Sequence, residues 1–233
     1  MGELQKSSSV YVSTWYTIIS VILVVGFILD VFLELKVIDC FGMEITSGAF
    51  LYPLVYIADD CISEIYGYKK AIQTMWITII ASIAVVCITQ LVCLMPAVSY
   101  WEYETAFNTV FSVGPRYFIA GIASLVVGSV LNSFVLTKMK LASNGKFFKM
   151  RAIISSMIAR IFEIATFFFG AYLGTYELTS ILFIIMNTWI MGIACELLVV
   201  PLTEKITTYI KNREGIDVMD KNTNYNPLLV FKR

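Results

Sequence analysis

Six apolar runs, each about as long as a bilayer is thick, constrain this chain more than any other feature. They cover 10–29, 48–66, 71–94, 116–136, 150–172 and 178–200. A hydrocarbon core of roughly 30 Å needs about 20 helical residues to cross it. The runs are rich in Val, Ile and Phe, which favour strands in water. In lipid every backbone N–H and C=O must be paired within the segment, so tracts of this length are helices. Outer-membrane strands would instead alternate every second residue over about ten residues. Hydrophobic residues make up 58% of the 233, too many for a water-facing surface to hide. The expected fold is an all-α integral membrane protein of six transmembrane helices. It forms a single domain over 1–212, followed by a polar, disordered tail over 213–233.

The charges set an orientation. Lys and Arg total 17, as do Asp and Glu, yet they are unevenly spread. Lys6, Lys69, Lys70, the basic cluster Lys138 to Arg151, and the tail cations all fall on one side of the six runs. The other side carries Lys36 and seven acids: Asp30, Glu34, Asp39, Glu44, Glu102, Glu104 and Glu177. The excess of Lys and Arg marks the cytoplasmic side, so both termini are expected in the cytoplasm. The loop 95–114 then lies outside, with Tyr100, Trp101 and Tyr103 as interfacial anchors.

Several chemistries are excluded. The chain has no His, which removes imidazole bases and His-ligated zinc. Cys40, Cys61, Cys87, Cys93 and Cys195 form no Cys-x-x-Cys pair and read as small hydrophobes. There is no phosphate-binding Gly-rich loop, no basic nucleic-acid footprint, and no residue pattern calling for a cofactor or a metal. The chain is expected not to be an enzyme, since it shows no nucleophile beside a base.

Ionisable residues within the runs are the candidate site, because charge at bilayer depth is costly and marks function or pairing. In the second run, Tyr56, Asp60 and Glu64 follow at four-residue spacing and share a helix face, with Tyr52 a turn earlier and Asp59 about 100° away. A plainer reading has these acids meeting Lys69 and Lys70 at a helix end. In the fifth run, Arg160 and Glu163 lie three apart and can pair with each other or lock neighbouring helices. In the sixth run, Glu196 has no cation within four residues, and Trp189 lies seven residues earlier on nearly the same face. Asn132 and Asn187 add neutral donors and acceptors. The acidic excess suits a cationic ligand or protons. The small residues Ala120, Ser124 and Gly128, with Gly170 and Gly174, permit close helix contact, within the chain or in a homodimer.

The stretch 46–71 contains Pro53, then Asp60, Glu64, Tyr66, Gly67 and Lys69 in the order aromatic-Pro, Asp-x3-Glu-x-Tyr-Gly, basic. It resembles the signature of the queuosine precursor transporter family, vitamin uptake transporter-like membrane proteins. The resemblance continues through Arg116, Arg151 and Glu196 to Pro201, which is expected to close the sixth run. It implies a bacterial inner-membrane importer of 7-deazaguanines such as preQ0, preQ1 or queuine. The implied substrate-binding residues are Tyr56, Asp60, Glu64, Asn132, Arg160, Glu163, Asn187, Trp189 and Glu196. Arg116, Pro53, Gly67 and Pro201 take structural or gating roles. Where the family often carries amide, acid and Lys positions, this chain has Ser129, Asn132, Arg160, Glu163 and Gly192. The expected partners are the small-molecule substrate and the lipid bilayer. Two other readings stay open. One is a binding subunit for a separate ATPase module, although the first run lacks the Ala-x3-Ala docking pattern. The other is a membrane enzyme.

Overall fold

The computed structural model describes residues 13–33, 36–40, 43–112 and 115–231. The start of the first expected span, and Lys6, Glu34, Lys232 and Arg233, lie outside these residues. The elements run α1 (Thr14–Leu33), β1 (Val37–Cys40), β2 (Met43–Thr46), a 3-10 turn (Ser47–Leu51), α2 (Tyr52–Cys61), a π-helical turn (Ile62–Tyr66) and α3 (Gly67–Cys93). Then come α4 (Glu104–Phe111), α5 (Pro115–Ala142), α6 (Phe148–Tyr172) and α7 (Leu178–Glu214). The strands pair antiparallel, Val37 opposite Thr46, an addition to the all-helical expectation. A further addition is α4, within the segment expected to be a plain loop.

Among the described residues, five continuous helical stretches are long and apolar enough to cross a membrane. Residues 52–93 count as one such stretch, yet the chain turns back within it. Ser13, before α1, lies 3.0 Å from the Tyr66 hydroxyl. At the far end of α1, Ser47 Oγ donates to the Leu33 carbonyl at 2.6 Å. The segment from Ser47 to Tyr66 therefore runs antiparallel to α1. Next, Thr74 meets Tyr16 near the start of α1, and Gln90 bonds the carbonyl of Phe111, whose ring packs on Phe32 near its end. So α3 runs alongside α1 in the same direction. The turn falls at Gly67, whose φ of +79° is open to glycine at little cost.

Helix ends follow local chemistry. Ser13 caps α1, its hydroxyl accepting the Tyr16 N–H at 2.9 Å. At the end of α7, Gly215 adopts a left-handed φ of +67° and its N–H bonds the Lys211 carbonyl. Pro201 does not close this helix, contrary to expectation. The helix continues for 13 residues beyond it, to Glu214. Its inward stripe of Val200, Thr203, Thr207 and Ile210 stays buried across the proline, so packing outweighs the one lost backbone bond. At 37 residues, α7 is about 55 Å long and extends past any bilayer core.

The small residues of α5 are spent inside the chain. A Cβ on Gly170 would lie 2.9 Å from the Ala120 Cβ, and one on Gly128 would lie 2.6 Å from the Glu163 carboxyl carbon. The α5 face of small residues, which permits close contact within the chain or in a homodimer, packs on α6. Outward faces carry Ile18, Val21, Val25 and Leu29 of α1, and Phe183, Ile190 and Leu198 of α7, all exposed as lipid contact requires.

Residues 215–231 of the tail pack against α3, where the sequence reading expects disorder. Asp220 and Val230 are buried in it. Asp220 accepts the Tyr68 N–H, Trp76 donates to the Pro227 carbonyl, and Gln73 to that of Val230. Tyr68 and Tyr225 pack ring on ring at 4.8 Å. These anchors are sparse in a polar segment, so composition alone concealed them.

Candidate functional site

Between α2, α5, α6 and α7 the structure gathers a buried polar cluster. Asp60 and Glu196 are 1% and 2% exposed. Asn132, on α5, is equally buried, and its amide donates to Asp59 Oδ2 at 2.8 Å and Asp60 Oδ1 at 3.1 Å. The Glu196 carboxyl, on α7, faces Asp60 and also Ser156 of α6. Asp60 Oδ2, Glu196 Oε2 and Asn132 Oδ1 have no hydrogen-bond partner among the described residues. Buried acceptors left without a donor each cost on the order of 1–3 kcal/mol. A cluster holding three of them is built to receive N–H or O–H groups.

Arg160 closes one side of the cluster. Its guanidinium lies 3.8 Å from the centre of the Tyr56 ring and donates to Glu163 Oε2 at 2.6 Å. Tyr56 in turn stacks on Tyr52, with ring centres 5.6 Å apart. Arg160 Nε has no partner among the described residues, which leaves one donor beside three acceptors. Gly192 clears room here, since a Cβ on it would lie 3.2 Å from the Tyr56 hydroxyl oxygen.

Glu64 belongs to a different assembly. The wide π-helical turn at 62–66 takes it off the Asp60 face. Arg151 donates to its carboxylate twice, at 2.6 and 3.0 Å, and Lys211 once at 2.7 Å. Lys140 lies 3.8 Å from the same carboxylate and bonds the Glu64 carbonyl. Asp217 bridges Lys140 and Lys211. Burial raises the Asp217 carboxyl, but the hydrogen bonds from both lysines outweigh it and hold the group below the usual carboxylate range. Lys69 and Lys70, offered by the sequence as partners for these acids, are exposed. The ends of α2, α5 and α7 and the start of α6 are thus tied together.

The other expected residues divide. Trp189 donates to the Met157 carbonyl and holds α7 to α6 beside the cluster. Asn187 is exposed, nine residues before Glu196 and on the opposite face of α7, and does not join it. Arg116 donates to the carbonyls of Gly170 and Leu173, clamping the far end of α6 onto α5. Pro53 sits in the first turn of α2, where its missing N–H costs nothing. Gly67 makes the turn that Asp220 and Val218 cover. Asp59, placed by the sequence off the Asp60 face and outside the expected site, joins the cluster through Asn132, and Lys140 and Lys211, which carry only an orientation signal in the sequence, join Arg151 around Glu64. Asp59 is a polar group at bilayer depth, which is the signal that marks it; the cation partnerships have no local signal. Cys61, Cys87, Cys93 and Cys195 are free thiols.

Helices of this length and apolarity, around a buried acid–amide–arginine cluster, define a multi-pass membrane protein. Residues 46–206 match the family described as "Putative vitamin uptake transporter", and the chain belongs to that family. It is a multi-pass bacterial membrane protein. Among curated proteins, the "Probable queuosine precursor transporter" of Bacillus subtilis (strain 168) is 23% identical over 180 residues, covering 77% of this chain and 79% of that one. No solved structure matches.

Proposed function

We propose that this chain imports a queuosine precursor, namely preQ0, preQ1, queuine or a related 7-deazaguanine, across the bacterial inner membrane. The observation that carries the reading is the convergence of Asp60 Oδ2, Glu196 Oε2 and Asn132 Oδ1 with Arg160 Nε, all four without partners among the described residues. A guanine-type edge offers the complement: adjacent ring N–H and exocyclic NH2 donors next to a carbonyl acceptor. Carboxylates accept such paired donors strongly, and Arg160 Nε suits the carbonyl. An aminomethyl cation, as in preQ1, meets the acidic excess. Tyr56 and Tyr52 supply a flat stacked wall. The name of the Bacillus relative points to the same substrate class.

In this reading the membrane is crossed six times, with both termini in the cytoplasm. The turn at Gly67 supports two passes over 47–93, and the basic clusters support the orientation. The Glu64 ion pairs then close the cytoplasmic end, and helix rocking about the Asp60–Glu196 cluster gives alternating access.

The test is thermal unfolding of purified protein against 7-deazaguanines, guanine and adenine. A ligand at 100 times its Kd adds about 2.7 kcal/mol of stability. Deazaguanines are expected to stabilise and adenine not to. Uptake of labelled queuine by cells unable to make it completes the test. No stabilisation and no uptake would sink the reading. Co-purification with an ATPase module would point to a binding subunit, and turnover of a base to an enzyme.

A further inference from the structure

The buried cluster carries more negative charge than its neighbours offset. Asp59, Asp60 and Glu196 are each more than nine-tenths buried, and Glu163 stands beside them. Facing them are Tyr56 on α2, Asn132 on α5, Arg160 and Ser156 on α6, and Cys195 on α7. Cys61 follows Asp60 on α2 and hydrogen-bonds Thr207. Arg160 is the one cation in this group, and its closest bond goes to Glu163. Asn132 contributes donors but no charge. Ionised in full, the cluster would hold three carboxylates without a counter-charge, and burying even one such group costs several kcal/mol.

The geometry narrows where the missing positive charge sits. Asp60 and Glu196 face each other, and each turns an oxygen without a donor toward the cluster. One proton answers both deficits. It removes a charge and forms an Asp60–Glu196 O–H···O bond between two acceptors that have none. A metal ion answers them less well, because no group of three His, Cys, Asp or Glu among the described residues is arranged to hold one. The bridged pair keeps one negative charge and free lone pairs on its oxygens, so it still accepts ligand N–H groups beside Asn132 Oδ1 and Arg160 Nε.

We infer that Asp60 and Glu196 share one exchangeable proton, bound and released in each transport cycle, so that uptake is driven by the proton gradient. The proton comes from water on the outer side, bridges the two carboxyls, and returns to water inside. No covalent bond of the transported base changes. This inference rests on the transport reading above, and adds the coupling ion to it.

Two measurements test it. Purified protein in liposomes is given labelled queuine or preQ1 under an inward proton gradient, an inward sodium gradient, or neither. Accumulation is expected with the proton gradient alone, up to about tenfold per pH unit for one proton per substrate. It should collapse with a protonophore. Accumulation driven by sodium, or unaffected by the protonophore, overturns the proton assignment. Exchange of internal for external base needs no gradient, so its absence would count against the transport reading instead.

The second measurement needs no substrate. Infrared spectroscopy of wild-type protein at neutral pH should show the carbonyl stretch of a protonated, deuterium-exchangeable carboxylic acid. Asp60→Asn and Glu196→Gln should each remove that band, and Glu196→Asp should shift it. No such band in the wild type overturns the inference. A band that persists in both folded variants does so as well.

Discussion

Arg151 grips Glu64 with both terminal nitrogens, at 2.6 and 3.0 Å, and the two side chains are 2% and 1% exposed. Pairs this deeply buried are costly to form and costlier to break, because the survivor keeps its charge with no partner. Glu64→Gln leaves Arg151 without a carboxylate, whereas Lys140 and Lys211 keep Asp217. We expect it to lower stability by about 3–5 kcal/mol, seen as a large fall in Tm or a loss of folded yield in detergent. Glu64→Gln combined with Arg151→Met should recover part of that loss. An unchanged Tm in Glu64→Gln would show that the ion pair contributes nothing.

The partners of Glu64 lie 87 and 147 residues away in the sequence, which is why they were not legible there. The long apolar helices were legible because lipid imposes one simple requirement on each: enough apolar length with its backbone paired. Expected and observed bounds agree closely for 71–94 and 150–172, where apolar runs end at polar loops. They part for α7, whose last turns are held by Thr203, Thr207 and Ile210 against other helices. Asp60, Asn132, Arg160 and Glu196 were legible as candidates because each is polar at bilayer depth. Their convergence was not, since it depends on how α2, α5, α6 and α7 rotate against one another. Glu64 was drawn into the same stripe by an ideal α-helical period, and the π-helical turn breaks that period.

Asp217 makes the same end of the molecule sensitive to acid. Its folded pKa lies below the ordinary carboxylate value, so its contribution to stability is fully present above the unfolded value. That contribution is lost as pH falls through the folded value. The side chain is 49% exposed, so solvent screens the pairs and the effect is about 0.5 kcal/mol or less. Between about pH 6 and pH 3, Asp217→Asn should flatten the fall in Tm relative to wild type. Parallel curves would show that Lys140 and Lys211 do not depend on it.

Gly67 and Gly145 separate strain from crowding. Both have positive φ, +79° and +78°. A Cβ on Gly67 would lie 2.8 Å from Asp220 Oδ2 and from Val218 Cγ1, whereas one on Gly145 would meet nothing within 4 Å. Gly145→Ala is expected to cost about 1 kcal/mol for its backbone alone. Gly67→Ala should cost that much plus displacement of the tail, about 2–3 kcal/mol in all. Limited proteolysis should then cut after Gly215 faster in Gly67→Ala than in Gly145→Ala. Equal behaviour of the two variants would mean that the tail does not depend on its seat over Gly67.

In the proposed site Arg160 acts through its shape as well as its charge. Its planar guanidinium covers the Tyr56 ring while donating to Glu163, and leaves Nε for a ligand. Lys keeps the charge but has neither the flat face nor the fork. Arg160→Lys should therefore weaken binding of the deazaguanine by about 1–2 kcal/mol, or roughly 5- to 30-fold in Kd. Tyr56→Phe preserves the stacked face and should change Kd by less than about threefold, whereas Tyr56→Leu should approach the Arg160→Lys loss. Ligand titration followed by thermal shift in the three variants measures all of these. If Arg160→Lys binds as tightly as wild type while Tyr56→Leu does not, the ring acts on the ligand directly and the guanidinium does not.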